Sequence, residues 1–305
     1  MRAPRRKPRT AKPAAKAQEP GVWLFDPERA RITVRNAEAV LAQLPVFLAG
    51  WPFKWSGPSG ADACEIDVRE EQGALVVART GPSGDVRSFA TALDAANGLA
   101  GALVSAFTMR DEQMICLHAA AVALGGGVAL FVGDSGAGKS SVSLNLAVRG
   151  HTLFGDDRIA VRLDGAGVAV CLGLMPKARL PLPASADDRF AAFIEAFSAF
   201  QTDAIAYLRP PNGVIAEFGD ALPLSAIFLL ERRGTGKTRV STASRPDIVT
   251  AVVEHAFAPH IATSALIGRA AALAAAVPGF HLSFSDSRQA AEAAAAAVAT
   301  AAETR

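Results

Sequence analysis

Cysteine is scarce in this chain: three in 305 residues, Cys64, Cys116 and Cys171, none with a CxxC partner or a Cys/His cluster nearby. That spacing supports neither a disulfide framework nor a zinc site, and unpaired thiols suit a reducing cytosol. An apolar leader is missing as well. The basic N-terminus runs into Pro and Ala, so no secretory signal is read and a cytoplasmic location is expected. Nor is the body of the chain a polycation. The formal net charge is +2, but residues 1–20 carry seven basic groups (Arg2, Arg5, Arg6, Lys7, Arg9, Lys12, Lys16) against Glu19, leaving −4 for the remainder. A dedicated nucleic-acid-binding domain is therefore not expected. There is no repeat of fixed period.

One uncharged run needs an explanation. Met114 to Gly133 is 20 residues without a formal charge, long enough to cross a bilayer. It contains His118 and the consecutive glycines Gly125 to Gly127, and it reads as two buried strands joined by a glycine turn, not as a membrane span.

What is present fits an α/β protein of one to three domains, half hydrophobic and a fifth charged. Residues 1–20, rich in Pro, Lys, Arg and Ala, read as a disordered basic tail. Residues 21–112 read as a small α/β region with strands near 31–34, 64–68 and 74–78 and helices near 37–48 and 88–109. Its Trp51 to Trp55 segment, which holds two of the three tryptophans, reads as local core. Residues 113–305 read as a larger α/β domain. Its strands are expected at 116–124, 128–132, 153–154, 159–163, 168–172, 225–231 and 280–284. Its helices are expected at 139–149, 187–200, 245–257 and 261–276, with an alanine-rich helix after Asp286.

The chemistry starts at Gly133-Asp134-Ser135-Gly136-Ala137-Gly138-Lys139-Ser140, which matches GxxxxGK[ST] at every fixed position and follows an apolar strand. Glycines let the backbone wrap so that its N–H groups converge on phosphate oxygens, and the following helix adds its positive end. Lys139 is expected at the β- and γ-phosphates and the Ser140 hydroxyl at Mg²⁺, with Ser141 continuing the binding segment. Gly234 to Thr238 imitates the tail of such a loop, but Glu231 stands where its first glycine belongs, so it reads as a hairpin turn.

Seventeen residues beyond Lys139 stand Asp156 and Asp157. Alone, Gly155-Asp156-Asp157-Arg158 reads as a surface turn. Downstream of a phosphate loop it reads as a pair of carboxylates for metal and proton. His118, in an apolar strand, reads as a core histidine on its own.

The segment Leu117–Val161 resembles the catalytic domain of HPr kinase/phosphorylase in four features together. These are His118, the GDSGAGKS loop, Arg149-Gly150-His151 after a helix, and Asp156-Asp157. A fainter similarity continues to about residue 300. The resemblance implies a P-loop kinase domain of the HPr kinase/PEP carboxykinase-like type over 113–305, using ATP and Mg²⁺. It implies Asp156 as acid/base for the acceptor hydroxyl, Asp157 and Ser140 at Mg²⁺, Lys139 at the phosphates and His118 beside the site. Where the family carries Glu after the loop serine this chain has Ser141, and the family's downstream signature is replaced by Leu174 to Pro181. There Lys177 and Arg179 could contact a phosphate or an acceptor, or could form a solvated basic turn. The implied activity is a serine kinase acting on a small protein or peptide, within a divergent branch and with homo-oligomers expected in the range of states. A small-molecule kinase and a nucleotide-binding or hydrolysing regulator remain the alternative readings.

Overall fold

Strand-forming runs bounded by glycine and charged turns fold residues 21–89 into one six-stranded sheet. The computed structural model describes residues 21–26, 28–58, 64–81, 84–183 and 186–303; the basic segment 1–20, read as a disordered tail, lies outside them. The strands are β1 (Gly21–Phe25), β2 (Ile32–Arg35), β3 (Phe53–Pro58), β4 (Ile66–Glu71), β5 (Ala74–Arg79) and β6 (Val86–Phe89), in the order β3-β1-β2-β4-β5-β6. Alternate residues Ile32, Val34, Ile66 and Val68 point to one face. They bury it with Leu99 and Leu103 of helix α2 (Ala92–Thr108), whose first turn is capped by the Thr91 side chain accepting from the Asp94 N–H. A one-turn helix α1 (Glu38–Leu41) and a 3₁₀ turn at Leu44–Val46 link β2 to β3.

From Met114 onward a second, larger sheet is assembled in two parts. One part runs β10 (Leu153–Gly155), β8 (Ala119–Leu124), β9 (Gly127–Val132), β16 (Ala221–Arg232), β19 (Gly279–Phe284), β17 (Arg239–Thr242). The other runs from the start of β16 through β12 (Val168–Val170), β11 (Ile159–Arg162) and β7 (Met114–Leu117) to β18 (Ala256–Phe257). The twelve-residue β16 belongs to both. Helices α3 (Lys139–Val148), α4 (Asp188–Phe197) and α7 (Ser287–Glu303) cover one face of the first part, packing on Val122, Phe131 and Phe228. Helices α5 (Arg245–His255) and α6 (Thr263–Ala276) lie on the other, against Leu130, Val132 and Ile227. Both faces are therefore buried, which is why 119–132 reads as a continuous apolar run. A small third sheet, β13 (Lys177–Arg179), β15 (Ile205–Leu208) and β14 (Ser198–Gln201), completes the mixed α/β fold.

The six-stranded sheet is anchored to the larger one. Trp51 donates its indole N–H to the Leu172 carbonyl at 2.8 Å and stacks on Phe218 with centroids 4.3 Å apart. Cys116, Ala160 and Leu172 join the same apolar cluster as Leu99 and Leu103.

Several expectations change. The helix expected at 37–48 is a single turn followed by a 3₁₀ turn, because Pro45 has no N–H to continue an α-helix. The 88–109 segment divides into β6 and α2. The helix expected at 187–200 stops at Phe197, and Ser198–Gln201 leaves it to pair with β15. In the Trp51 to Trp55 segment only Trp51 is core; Phe53 and Trp55 are 44% and 49% exposed on the edge strand β3. Gly234 to Thr238 is not a hairpin turn, since β16 and β17 do not pair with each other but flank β19 on its two sides. The uncharged run 114–133 forms β7, β8 and β9, and among the described residues no helix is long and apolar enough to cross a membrane.

Candidate active site

The strand expected at 116–124 is broken at His118, and that break creates the site. β7 pairs with β11 in one part of the large sheet, and β8 pairs with β10 in the other. Two adjacent chain segments thus change sheet at the same level, one at His118 and the other at Asp156–Arg158. His118 donates its backbone N–H to the His255 carbonyl at 2.9 Å. Its side chain is 46% exposed, so it is not a core histidine. Asp157 takes φ +69°, a left-handed conformation that Asp tolerates better than most residues and that often marks a functional position.

The glycine loop enters the same space. It joins β9 to α3, with Gly136 at φ +89° and Gly138 at φ +96°. A side chain at 138 would press on the Phe284 ring, with a Cβ only 2.9 Å from Cζ, whereas one at 136 would meet nothing within 4 Å. Gly138 is thus required by packing and by torsion, and Gly136 by torsion alone. Lys139 is buried and donates from Nζ to the carbonyls of Gly133 (2.6 Å) and Asp134 (3.1 Å). Burial lowers its pKa, and the carboxylates of Asp157 and Asp156 oppose the shift.

The two aspartates differ sharply. Asp156 is 2% exposed and both its oxygens are engaged: Oδ1 accepts from the Ser140 hydroxyl at 2.8 Å and Oδ2 from the Lys177 N–H at 3.2 Å. Burial pushes its carboxyl up from the ordinary value, and those two hydrogen bonds only partly reverse the rise. Asp157 is partly open. Burial pushes its pKa up too, but the Lys177 ammonium 3.0 Å away outweighs this and leaves it lowered. His118 Nε2 stands 3.9 Å from Asp157; burial, with Lys139 next, lowers the imidazole pKa.

A cavity of about 360 Å³ gathers most of the residues expected from the sequence: His118, Ser135, Gly136, Gly138, Lys139, Ser140, Ser141, Asp157, Lys177 and Arg179. Asp134 instead turns outward, its side chain 97% exposed. Asp156 lies behind Ser140. Arg179 reaches the loop, its Nη2 lying 3.4 Å from Ser135 Oγ, so the basic pair belongs to the cavity and is not a solvated turn. The sequence reading missed Arg232, the apolar wall of Leu144, Leu182, Phe190 and Ile205, and His255. Leu144 lies one turn beyond Ser140 on α3; the others have no local signal, since each arrives from a separate element.

No family model matches the chain, and no curated protein matches it in sequence. Among solved structures it is similar to the Hpr(Ser) kinase/phosphatase from Coxiella burnetii, at 14% identity and a TM-score of 0.34, over 62% of this chain and 97% of that one.

Proposed function

We propose that the chain is a kinase that transfers the γ-phosphate of MgATP to a serine hydroxyl of a small protein or peptide. One observation carries the reading: Lys139, Ser140 and Asp157 line one cavity, with Asp156 hydrogen-bonded directly behind Ser140, although they come from α3 and from the break between β10 and β11. The choice of ATP and of a serine acceptor follows the resemblance of Leu117–Val161 to the HPr kinase catalytic domain.

The donor set suits a hard divalent cation. Ser140 Oγ is a hard oxygen that would ligate Mg²⁺ from the cavity side, and Asp156, accepting its hydroxyl proton at 2.8 Å, would orient it from behind and supply negative charge to the cation. Held there, Mg²⁺ would neutralise phosphate charge. Lys139 and Arg179 bring positive charge to the phosphates, and the N-terminus of α3 adds its own. In the transfer the serine oxygen bonds to the γ-phosphorus and the bond to the β–γ bridging oxygen breaks. ADP leaves with that electron pair, and the hydroxyl proton passes to a carboxylate.

We assign that proton to Asp157 and the metal side to Asp156, exchanging the roles expected from the resemblance. The pKa directions alone favour the opposite choice, since Asp156 is the stronger base. Reach decides, because a base must come within hydrogen-bond distance of the hydroxyl. Asp156 is enclosed with both oxygens in use, whereas Asp157 faces the cavity.

The test is transfer from γ-labelled ATP into candidate polypeptides. Label in phosphoserine that disappears with Lys139→Ala is the expected result. Release of inorganic phosphate with no labelled acceptor would replace the kinase by a hydrolysing regulator.

A further inference from the structure

A second, larger space lies on the far side of the same residues. A groove of about 700 Å³ runs between the six-stranded sheet and the large sheet. Its floor is one face of α2, with Gly98, Gly101, Ala102 and Ser105. One wall is β5 and β6, through Val77, Arg87 and Phe89, with Asp85 just before β6; the other holds Arg158, His255, Phe257 and Pro259. His118, Asp157 and Lys177 line both this groove and the smaller cavity that holds the glycine loop. The two spaces thus meet at the carboxylate assigned above as the base.

We infer that the groove holds an extended acidic peptide segment of the acceptor, with the six-stranded sheet serving as its docking unit. The inference rests on the kinase reading of the site. Charge supports it: among the described residues that line the groove, Arg87, Arg158 and Lys177 stand with the carboxylates of Asp85 and Asp157. Arg87 is matched by Asp85 at 2.6 Å and Lys177 by Asp157 at 3.0 Å. The Arg158 side chain, partly buried, forms no hydrogen bond or ion pair among the described residues. It directly follows Asp157, so a carboxylate close to the phosphorylated serine would meet it. A polypeptide, as opposed to a small metabolite, is favoured by β6. That strand closes the sheet, and its outer edge pairs with no strand among the described residues, so an extended chain beside it would find a row of backbone donors and acceptors.

The test measures binding apart from turnover. Fluorescent peptides with a central serine flanked by glutamates, or by glutamines, are titrated into the full chain without nucleotide, and MgATP affinity is measured separately. The glutamate peptide should bind about 10-fold or more tightly than its glutamine counterpart, and salt should weaken it. Arg158→Gln should remove that preference, and Ala102→Trp should block both peptides by filling the floor. Both variants should bind MgATP as the wild type does. Arg87→Gln offers a third variant on an exposed position in case the helix substitution unfolds the chain. Equal binding of the two peptides, or binding of neither to a wild type that still binds MgATP, would overturn the groove assignment while leaving the kinase reading intact. Loss of MgATP binding in the wild type would overturn the kinase reading instead.

Discussion

In the six-stranded sheet the outer strands β3 and β6 turn most of their residues to solvent. In the large sheet β7 and β9 are buried along their whole length and β8 at all but one residue. The first sheet is covered by one helix on one side, the second by helices on both. Charged groups behave differently in consequence. On the first sheet they form exposed pairs such as Arg87–Asp85, which contribute little to stability. At the seam of the second, Lys139, Asp156, Asp157 and His118 share one partly dry space, and each has its pKa displaced. Displaced pKa values gather where the strands change partners inside a buried sheet, whereas the charges of the exposed sheet form solvated pairs.

The sharpest way to break this contrast is to remove charge at the seam. Asp157→Asn should lower phosphotransfer by about 10²–10⁴-fold while MgATP still binds, as loss of a positioned base does. Survival of turnover within about threefold would return the role to Asp156. Lys139→Ala should cost at least about 100-fold in turnover and leave the melting temperature no lower, because a buried ammonium is removed. Asp156→Asn should instead raise the Mg²⁺ concentration needed for half-maximal rate.

Packing sharpens the same contrast. Phe131 is fully buried and stacks on Phe228 with centroids 5.2 Å apart, so Phe131→Ala should destabilise by about 3–5 kcal/mol. Val86, 64% exposed on β6, should tolerate Val86→Thr within about 0.5 kcal/mol. Chemical denaturation of the two variants checks both, and equal losses would mean that the edge strand is as tightly held as the core.

The smallest effect is on acid stability. The pKa of His118 is lowered in the folded state, so above the ordinary value of 6.5 the ring is neutral whether folded or not. As pH falls below 6.5 the unfolded chain takes up the proton first, and stability is lost until the folded pKa is passed. His118→Gln should flatten that part of the stability–pH curve. The change will be small for a side chain that is 46% exposed, and melting curves between pH 7 and about pH 5 will show it. A steeper loss in the variant would mean that the imidazole is charged in the fold.

How much was legible depended on distance along the chain. The Gly133–Ser140 loop was readable because its geometry is local. Glycine torsions and the start of α3 place Lys139 and Ser140 within a single turn. The apolar run of β8 and β9 was readable because both faces are buried. The interruption at His118 was not, since Leu117 and Ala119 are as apolar as their neighbours and only the change of pairing partner breaks the strand. The stop of α4 at Phe197 was hidden for the same reason, being set by pairing with β15.

The sequence by itself determined the loop, the alternation of strands such as β2, the continuous apolar run of β8 and β9, and the presence of two adjacent carboxylates. Only the tertiary structure decided which carboxylate is buried behind Ser140 and which opens to the cavity. Asp156 and Asp157 are neighbours in the chain and identical in side chain, and what separates them is the pairing of β10 with β8 and of β11 with β7. That pairing turns one side chain inward to two hydrogen-bond donors and leaves the other, at φ +69°, facing Lys177 and the space between the sheets.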